Sequence, residues 1–457
     1  MPPPGDNAFG VCAGAVKHCD GPNGWLEPDY TAIAGYESSE KAGCDGIDSN
    51  CDGSADEAYD QDGDGFYDDA NAQCAAFYGP KNLIDCDDDE PDFGKSCVVY
   101  VDDSATGLGD GTSWANAITS LSDALKTAKS KYQIWVAAGT YRPDVGVGAT
   151  AGDRSASFQL LPDVAIYGGF KGDETTIAAR DFRVNLTILS GDLLGDDGPS
   201  FANMSDNSYH IVKGAKDARL DGVWLRGGNA NGNGGALIST GPSMNVTLAN
   251  CTVTNNVASG HGGAIYQYWS SPPTVVNCRF VGNKASGKGG AIYTDWSSAP
   301  NVYGSLFVGN VATTNGGAIS ATWFSDPGTI VNSSFANNTA PVGGAVNFDS
   351  EYQIVNSVLF ANGATPIGGG SSTTVSYSSI QGGALGTGNI NLSTSPFLDL
   401  DGPDNVAGTA DDDLHLPAGS SSIDSGSNTL VPSELTLDLD GNPRLKGTVD
   451  RGAFEKP

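Results

Sequence analysis

Basic side chains are scarce in this 457-residue chain: 23 Lys and Arg stand against 54 Asp and Glu, a net charge of −31. Phosphate backbones repel so acidic a protein, so nucleic acid is excluded as a partner. No apolar run approaches the roughly 20 residues of a membrane-spanning helix, and no such segment is expected. Met1 is followed by three prolines and no apolar stretch, so no secretory leader is read here; with the cysteines below, the expectation is that one was removed. Helical periodicity is nearly absent from the middle of the chain. Hydrophobic residues make up only 39%, enough for a long, thin core. Glycine is plentiful, 63 residues, about twice ordinary usage.

Three compositional zones follow one another: a Cys/Asp-rich segment over 1–97, a Gly/Asn/Ser/Val/Ile-rich region over 98–395, and an Asp-rich C-terminal cap over 396–457. Seven of nine cysteines lie in the first zone: Cys12, Cys19, Cys44, Cys51, Cys74, Cys86 and Cys97. Cysteine at this density, where little else could form a core, reads as disulfide stapling in an oxidising compartment. Seven is odd, so at least one is free or paired elsewhere. Thiolate metal ligation is the alternative, although the spacings contain no CxxC pair. Between Cys44 and Asp92 sixteen acidic residues face one base, Lys81, which is about half of the net charge of the whole chain.

The middle zone repeats. Gly234-Gly235-Ala236-Leu237 recurs as Gly262-Gly263-Ala264-Ile265, Gly289-Gly290-Ala291-Ile292, Gly316-Gly317-Ala318-Ile319 and Gly343-Gly344-Ala345-Val346, with a degenerate Gly368-Gly369-Gly370. The second glycines step by 28, 27, 27, 27 and 25 residues. In phase with them runs an apolar residue followed three positions later by Asn, at 253–256, 280–283, 307–310, 335–338 and 359–362. A further Asn recurs at Asn250, Asn277, Asn332 and Asn356, where Gly304 breaks the series. A period of 25–28 with short β-type runs predicts a β-solenoid of about a dozen coils, each with about three strands. Coils pair in parallel at about 4.8 Å, so equivalent residues stack. Stacked Asn satisfy one another's amides at corners, and Gly pairs permit tight bends. Leucine-rich and helical repeats are excluded by their missing signatures.

These Gly-Gly-Ala-Ile and Phe-x-x-Asn repeats resemble those of polymorphic outer-membrane proteins and related right-handed parallel β-helix surface proteins of bacteria. Val99-Tyr100-Val101-Asp102, Asp110-Gly111-Thr112-Ser113-Trp114 and the stretch 121–128 resemble the opening cap of that group, a strand and then a short amphipathic helix. Stretches 134–141, 166–170 and 187–192 resemble its first rungs. The tail from Asp438 to Glu455 is similar to the ending of choice-of-anchor domains. The resemblance implies an all-β, right-handed parallel β-helix at the bacterial cell surface or outside the cell, an adhesin or structural protein.

Two tandem loops carry the strongest chemical signal: Asp48-x-Asn50-x-Asp52-Gly53-x-x-Asp56 and, twelve residues on, Asp60-x-Asp62-x-Asp64-Gly65-x-x-Asp68. Both fit the first nine positions of an EF-hand-type calcium loop, with the backbone carbonyls of Ser54 and Phe66 at position seven. Tyr59 and Asn71 stand where a bidentate Glu closes a full EF-hand, so the loops are more similar to thrombospondin type 3 or dockerin repeats. With Asp85-Cys86-Asp87-Asp88, the segment also resembles a metal-binding motif of secreted myxobacterial-type proteins. The expectation is Ca²⁺; the alternative is a solvated acidic linker. A second candidate metal site comprises Asp399, Asp401, Asp404, Asp411 and Asp413, alternatively a pair of solvated turns.

A β-helix also suits polysaccharide-processing enzymes, which need convergent carboxylates. Asp295 and Asp349 stand at equivalent positions two coils apart, about 9.6 Å along the axis. Bases nearby are few (Arg279, Lys284, Lys288), and the repeats are regular. His18, His210, His261 and His415 show no metal spacing. No catalytic residue is assigned. Trp269, Trp296 and Trp323 step by 27, as do Tyr266 and Tyr293. The tryptophans either pack a corner or form an exposed stripe for a glycan or a protein partner. Cys251 and Cys278, also 27 apart, are a bridge or two stacked buried thiols. The reading is a non-enzymatic surface or matrix protein stabilised by calcium, with a self-assembling fibre of copies of itself and a polysaccharide lyase or hydrolase as alternatives.

Overall fold

The computed structural model describes all residues except 1, 40–42, 61–66, 69–70, 79–83, 86–96, 243, 270–271, 297–298, 324–326, 371 and 457, and only the backbone of 68, 84 and 85. The chain divides into two compact units, Met1–Val98 and Val99–Pro457. In the first, disulfides join Cys12 to Cys51 and Cys44 to Cys74. Cys97 is disulfide-bonded, and Cys19 is free and exposed. Cys86 lies outside the described residues. A short helix, α1 (Ala72–Tyr78), starts where Asn71 Oδ1 accepts from the N–H groups of Gln73 and Cys74. Tyr78 packs face to face on Tyr67 at 3.7 Å and, with Cys44 and Cys74, forms the small core.

The second unit is the parallel β-helix that the repeat predicts. Its strands stack into two parallel sheets of ten strands and one of eight, with a four-stranded ribbon at one corner. Almost all parallel crossovers are right-handed, and that is the hand of this coil. Among the described residues ten coils form rather than about a dozen, because the first coils carry long loops, 142–157 and 191–211, between their strands. The opening helix α2 (Leu121–Thr127) begins at Ser120, whose side chain accepts from Asp123 N–H, and it buries Leu121, Ala124 and Leu125.

Register puts like on like. Ile265, Ile292, Ile319 and Val346 align across four coils, and so do Phe280, Phe307, Phe335 and Leu359. All are fully buried. The phenyl rings stack at 4.8 and 4.7 Å, the coil step itself, with interplanar angles of 3°. In the predicted corner ladder, Asn256 N–H and Nδ2 both donate to Asn283 Oδ1 at 3.1 and 3.0 Å. Asn283 does the same to Asn310, Asn310 to Asn338, and Asn338 to Asn362. Each Nδ2 also reaches a strand carbonyl, such as that of Phe280 from Asn310.

The second Asn row works differently. Asn250, Asn277, Asn332 and Asn356 have φ near +50°, and Gly304 continues the row at +58°. The corner demands a left-handed residue, and Asn and Gly adopt that conformation most easily. A Cβ on Gly304 would lie 2.3 Å from Asn277 Oδ1 and 2.5 Å from Leu435 Cδ1. In the glycine pairs the first residue is left-handed, and the second has no room: a Cβ on Gly290 would lie 2.1 Å from the Gly317 carbonyl oxygen. A third ladder was not read from the sequence. The N–H of Cys251 donates to Cys278 Sγ, Cys278 to Ser305 Oγ, then Ser305 to Ser333, Ser333 to Ser357 and Ser357 to Ser378. Cys251 and Cys278 are free, buried thiols within it.

The C-terminal segment runs along the flank of the coils. Leu306, Val308, Ala336, Val358 and Phe360 point outward from one ten-stranded sheet and are buried under Phe397, Leu414, Leu416, Leu439 and Phe454. The outer Asn row holds it in place: Asn277 Nδ2 donates to the Leu437 carbonyl, Asn332 to Asp450 and Asn356 to Ser427.

Replacing Asn310 with Ala strands the Asn283 N–H in a dry corner, while the Phe280 carbonyl keeps its place in the strand ladder. At 1–3 kcal/mol for an orphaned group, the loss is about 1–3 kcal/mol. Urea denaturation of N310A should show it as a lower midpoint with an unchanged slope.

Candidate functional site

Three strands, Ile265–Tyr268, Ile292–Asp295 and Ile319–Thr322, end in register. Trp269, Trp296 and Trp323 follow them. The coil-to-coil ladder extends through this corner, with Trp269 N–H donating to the Asp295 carbonyl and Trp296 N–H to that of Thr322. Each tryptophan is left-handed, with φ of 54°, 52° and 55°. That conformation costs about 1–2 kcal/mol for a residue with a Cβ. The indoles nevertheless face solvent, 63%, 59% and 73% exposed, so the corner-packing alternative does not describe them. Trp296 and Trp323 stack at 6.0 Å and 18°. Beside the stripe, Tyr266 stacks on Tyr293 at 5.9 Å and on Tyr268 at 6.5 Å. The buried Tyr293 hydroxyl pairs with Thr322 Oγ1, which donates to Asp295. Asp295 and Asp349 flank Thr322 two coils apart, as expected. The result is an aromatic, weakly polar strip that follows the coil axis.

In the first acidic loop the side chains turn onto the backbone. Asp48 accepts from the N–H groups of Cys51 and Gly53. Asp52 and Asn50 accept from Ser54 and Asp52, and Asn50 Nδ2 donates to Asp52. The fully buried Asp56 accepts from the N–H groups of Asp45 and Gly46 and from the Tyr78 hydroxyl. Burial, and then the Asp56 hydrogen bond, push the Tyr78 phenol well above its usual range. Asp48, Asp52 and Asp56 are each held by hydrogen bonds within this unit. Of the second loop, Asp62, Asp64 and Phe66 lie outside the described residues, as does the Asp68 side chain; Asp60 caps the turn after Tyr59.

At the C-terminal candidate site Asp399 and Asp413 pair through their backbones, and Asp411 accepts from Asp404 N–H and the Thr409 hydroxyl. Asp401 is exposed. Asp413 serves another partner. His415 sits between two carboxylates, Nδ1 at 2.5 Å from Asp413 and Nε2 at 2.6 Å from Asp440, with its ring 4.0 Å from Phe454. The Asp440 hydrogen bond, reinforced by Asp413, raises its pKa to about 9. Among the described residues the one acidic trio with oxygens within 4.8 Å of one another is Asp192, Asp196 and Asp206, which the sequence reading passed over. Asp192 is buried and accepts three backbone N–H bonds from residues 195–197. Its Gly-Asp-Leu-Leu-Gly-Asp-Asp run was the available signal.

The repeat model of the Chlamydia polymorphic membrane protein matches residues 250–267, 277–295 and 304–322. These three stretches hold the left-handed corner, the Asn ladder and the Gly-Gly-Ala strand, and each ends just short of a stripe tryptophan. No curated protein matches the chain. Among solved structures, the crystal structure of pectate lyase Pel9A superposes with a TM-score of 0.39 at 14% identity, covering 79% of this chain and 96% of that one. A likeness so weak carries nothing about activity, and the fold rests on the strand register above.

The raised pKa of His415 makes the flank segment pH-sensitive. The folded state holds the proton more tightly than the unfolded chain, whose histidine titrates near 6.5. The stabilisation is complete below about pH 6.5 and is lost as pH rises through about 9. In EDTA, the urea midpoint should fall across this window. The His415→Gln variant should start lower at pH 6 and change less over the same range.

Proposed function

We propose that this chain is a non-enzymatic bacterial surface or extracellular protein that adheres through the Trp269–Trp296–Trp323 stripe, with a glycan as its partner. The supporting observation is the conjunction of strain and exposure at the stripe. A left-handed corner, a conformation that Asn and Gly adopt most easily, holds three tryptophans in successive coils, and burial repays none of them for it. Exposed indoles in line suit the apolar faces of successive sugar rings, with Asp295 and Tyr268 for their hydroxyls. The match to a surface-protein repeat agrees with this placement, and the regular coils leave Asp295 engaged by Thr322 rather than poised for acid–base work. Calcium belongs to this reading as a second element. Its support is the tandem Asp spacing and the sixteen-to-one acid excess of 44–92, which divalent cations would relieve.

Two measurements test these elements separately. If the stripe serves binding and not packing, the triple Trp→Gly variant relieves left-handed strain and leaves the protein at least as stable as the parent. It should also lose retention on a glycan array that the parent protein gives. A loss of several kcal/mol, or unchanged array binding, contradicts the proposal. For calcium, 2 mM CaCl₂ should raise the midpoint of thermal unfolding relative to EDTA, and Asp52→Asn with Asp64→Asn should reduce the rise.

A further inference from the structure

A groove of about 600 Å³ follows the flank of the coils on another face, between the loops 197–204 and 406–410. This is the size range of ligand sites. Its floor crosses successive coils. Trp224 and Arg226 lie on one strand, Val223–Arg226, and Lys284 follows two coils on. Gly282 and Gly309, both left-handed, leave the floor between them without side chains. The far end is closed where Gly408 rests on Gly309, so tightly that a Cβ on Gly309 would lie 2.0 Å from the Gly408 carbonyl oxygen. The near wall contains Ser200 and Phe201, non-glycine residues at φ of 55° and 64°, and Asn203 in the same loop is also left-handed at 64°. Such clustered strain concentrates at functional sites.

The charges in this groove run against the rest of the chain. Arg226 and Lys284 are exposed, and neither side chain makes a hydrogen bond or ion pair with a described residue. Two bases beside one carboxylate, Asp197, which Arg226 faces, give this groove a net positive lining in a protein of net charge −31, and that suits an anion. They are about 9.6 Å apart along the axis, two coil steps, which suits charges spaced along a linear chain better than one small ion. Trp224 and Phe201 supply aromatic faces beside them. Asp197, on the wall, has a buried Oδ1 with no partner while its Oδ2 accepts from Asn207. A densely sulfated polymer would meet the repulsion of the whole acidic surface with only two bases to offset it.

We infer that this groove holds a stretch of a carboxylated polysaccharide, with Trp224 and Phe201 against sugar rings and Arg226 and Lys284 on carboxylates. The site is separate from the tryptophan stripe and does not depend on it. Isothermal titration calorimetry of the whole chain tests it with three probes: an oligogalacturonate hexamer, the same hexamer with its carboxyls reduced to alcohols, and a heparin hexasaccharide. The acidic hexamer should bind at least tenfold tighter than the reduced one, and binding should weaken as salt rises. Arg226→Gln and Lys284→Gln, both surface changes that circular dichroism can verify as folded, should each weaken it about tenfold. Lys171→Gln, an equal change of charge elsewhere, should not. Equal binding of the reduced hexamer, no binding of any probe, binding of heparin alone, or full affinity in both groove variants would overturn the inference.

Discussion

Each coil passes one buried amide to the next. From Asn256 to Asn362 a single Oδ1 takes both the backbone N–H and the side-chain Nδ2 of the Asn below it, and the remaining Nδ2 proton goes to a strand carbonyl. No other side chain fills these roles at a dry corner, because the position needs one acceptor and two donors in a plane. The ladder thereby sets the register of everything else. A slip of one residue would turn each strand's interior set outward. It would also unstack Phe280, Phe307 and Phe335 and bring a Cβ to corners where only glycine fits. The Ser/Cys ladder repeats the same logic at a second corner with smaller groups.

With register fixed, each corner becomes a column of equivalent positions, and what stands in a column decides what that side of the coil does. The outer column of Asn250, Asn277, Gly304, Asn332 and Asn356 holds the C-terminal segment through its amides, and it gives way to Leu435 at the glycine. The column at 269, 296 and 323 has the same left-handed backbone but carries indoles into water. One conformation thus serves two ends. Where Asn stands, the corner is structural; where Trp stands, local preference is set against conformation with no burial in return. The column at 282 and 309 is bare, and it opens the floor of the basic groove.

Much of this is legible in the residues. A 27-residue period with Gly-Gly-Ala and Phe-x-x-Asn is enough for parallel coils, and identical residues at that period must stack. Other features are hidden for physical reasons. Two rows of Asn look alike in sequence although one is an inward ladder and the other a left-handed corner, and Gly304 then reads as an interruption. Serines aligned with cysteines carry no periodic signal that distinguishes a ladder from a surface. The return of residues 397–455 along the flank depends on contacts across more than a hundred residues, such as Asn332 with Asp450. Aspartates alternating with glycine suit a cation and equally suit tight turns, and the first acidic loop spends Asp48 and Asp56 on backbone N–H groups. Cysteine counts leave connectivity open; the bridges Cys12–Cys51 and Cys44–Cys74 and the free Cys19 come from geometry alone.

The dependence of the coil on its Asn ladder is open to native-state hydrogen exchange. The amides of Asn256, Asn283, Asn310 and Asn338 each donate to a side-chain oxygen in the next coil rather than to a strand carbonyl. If the ladder fixes the register, these four amides exchange only by global unfolding, with one common free energy equal to that of the buried strands around Phe307. Exchange of the four by local opening, well below the protection of those strands, would contradict the account.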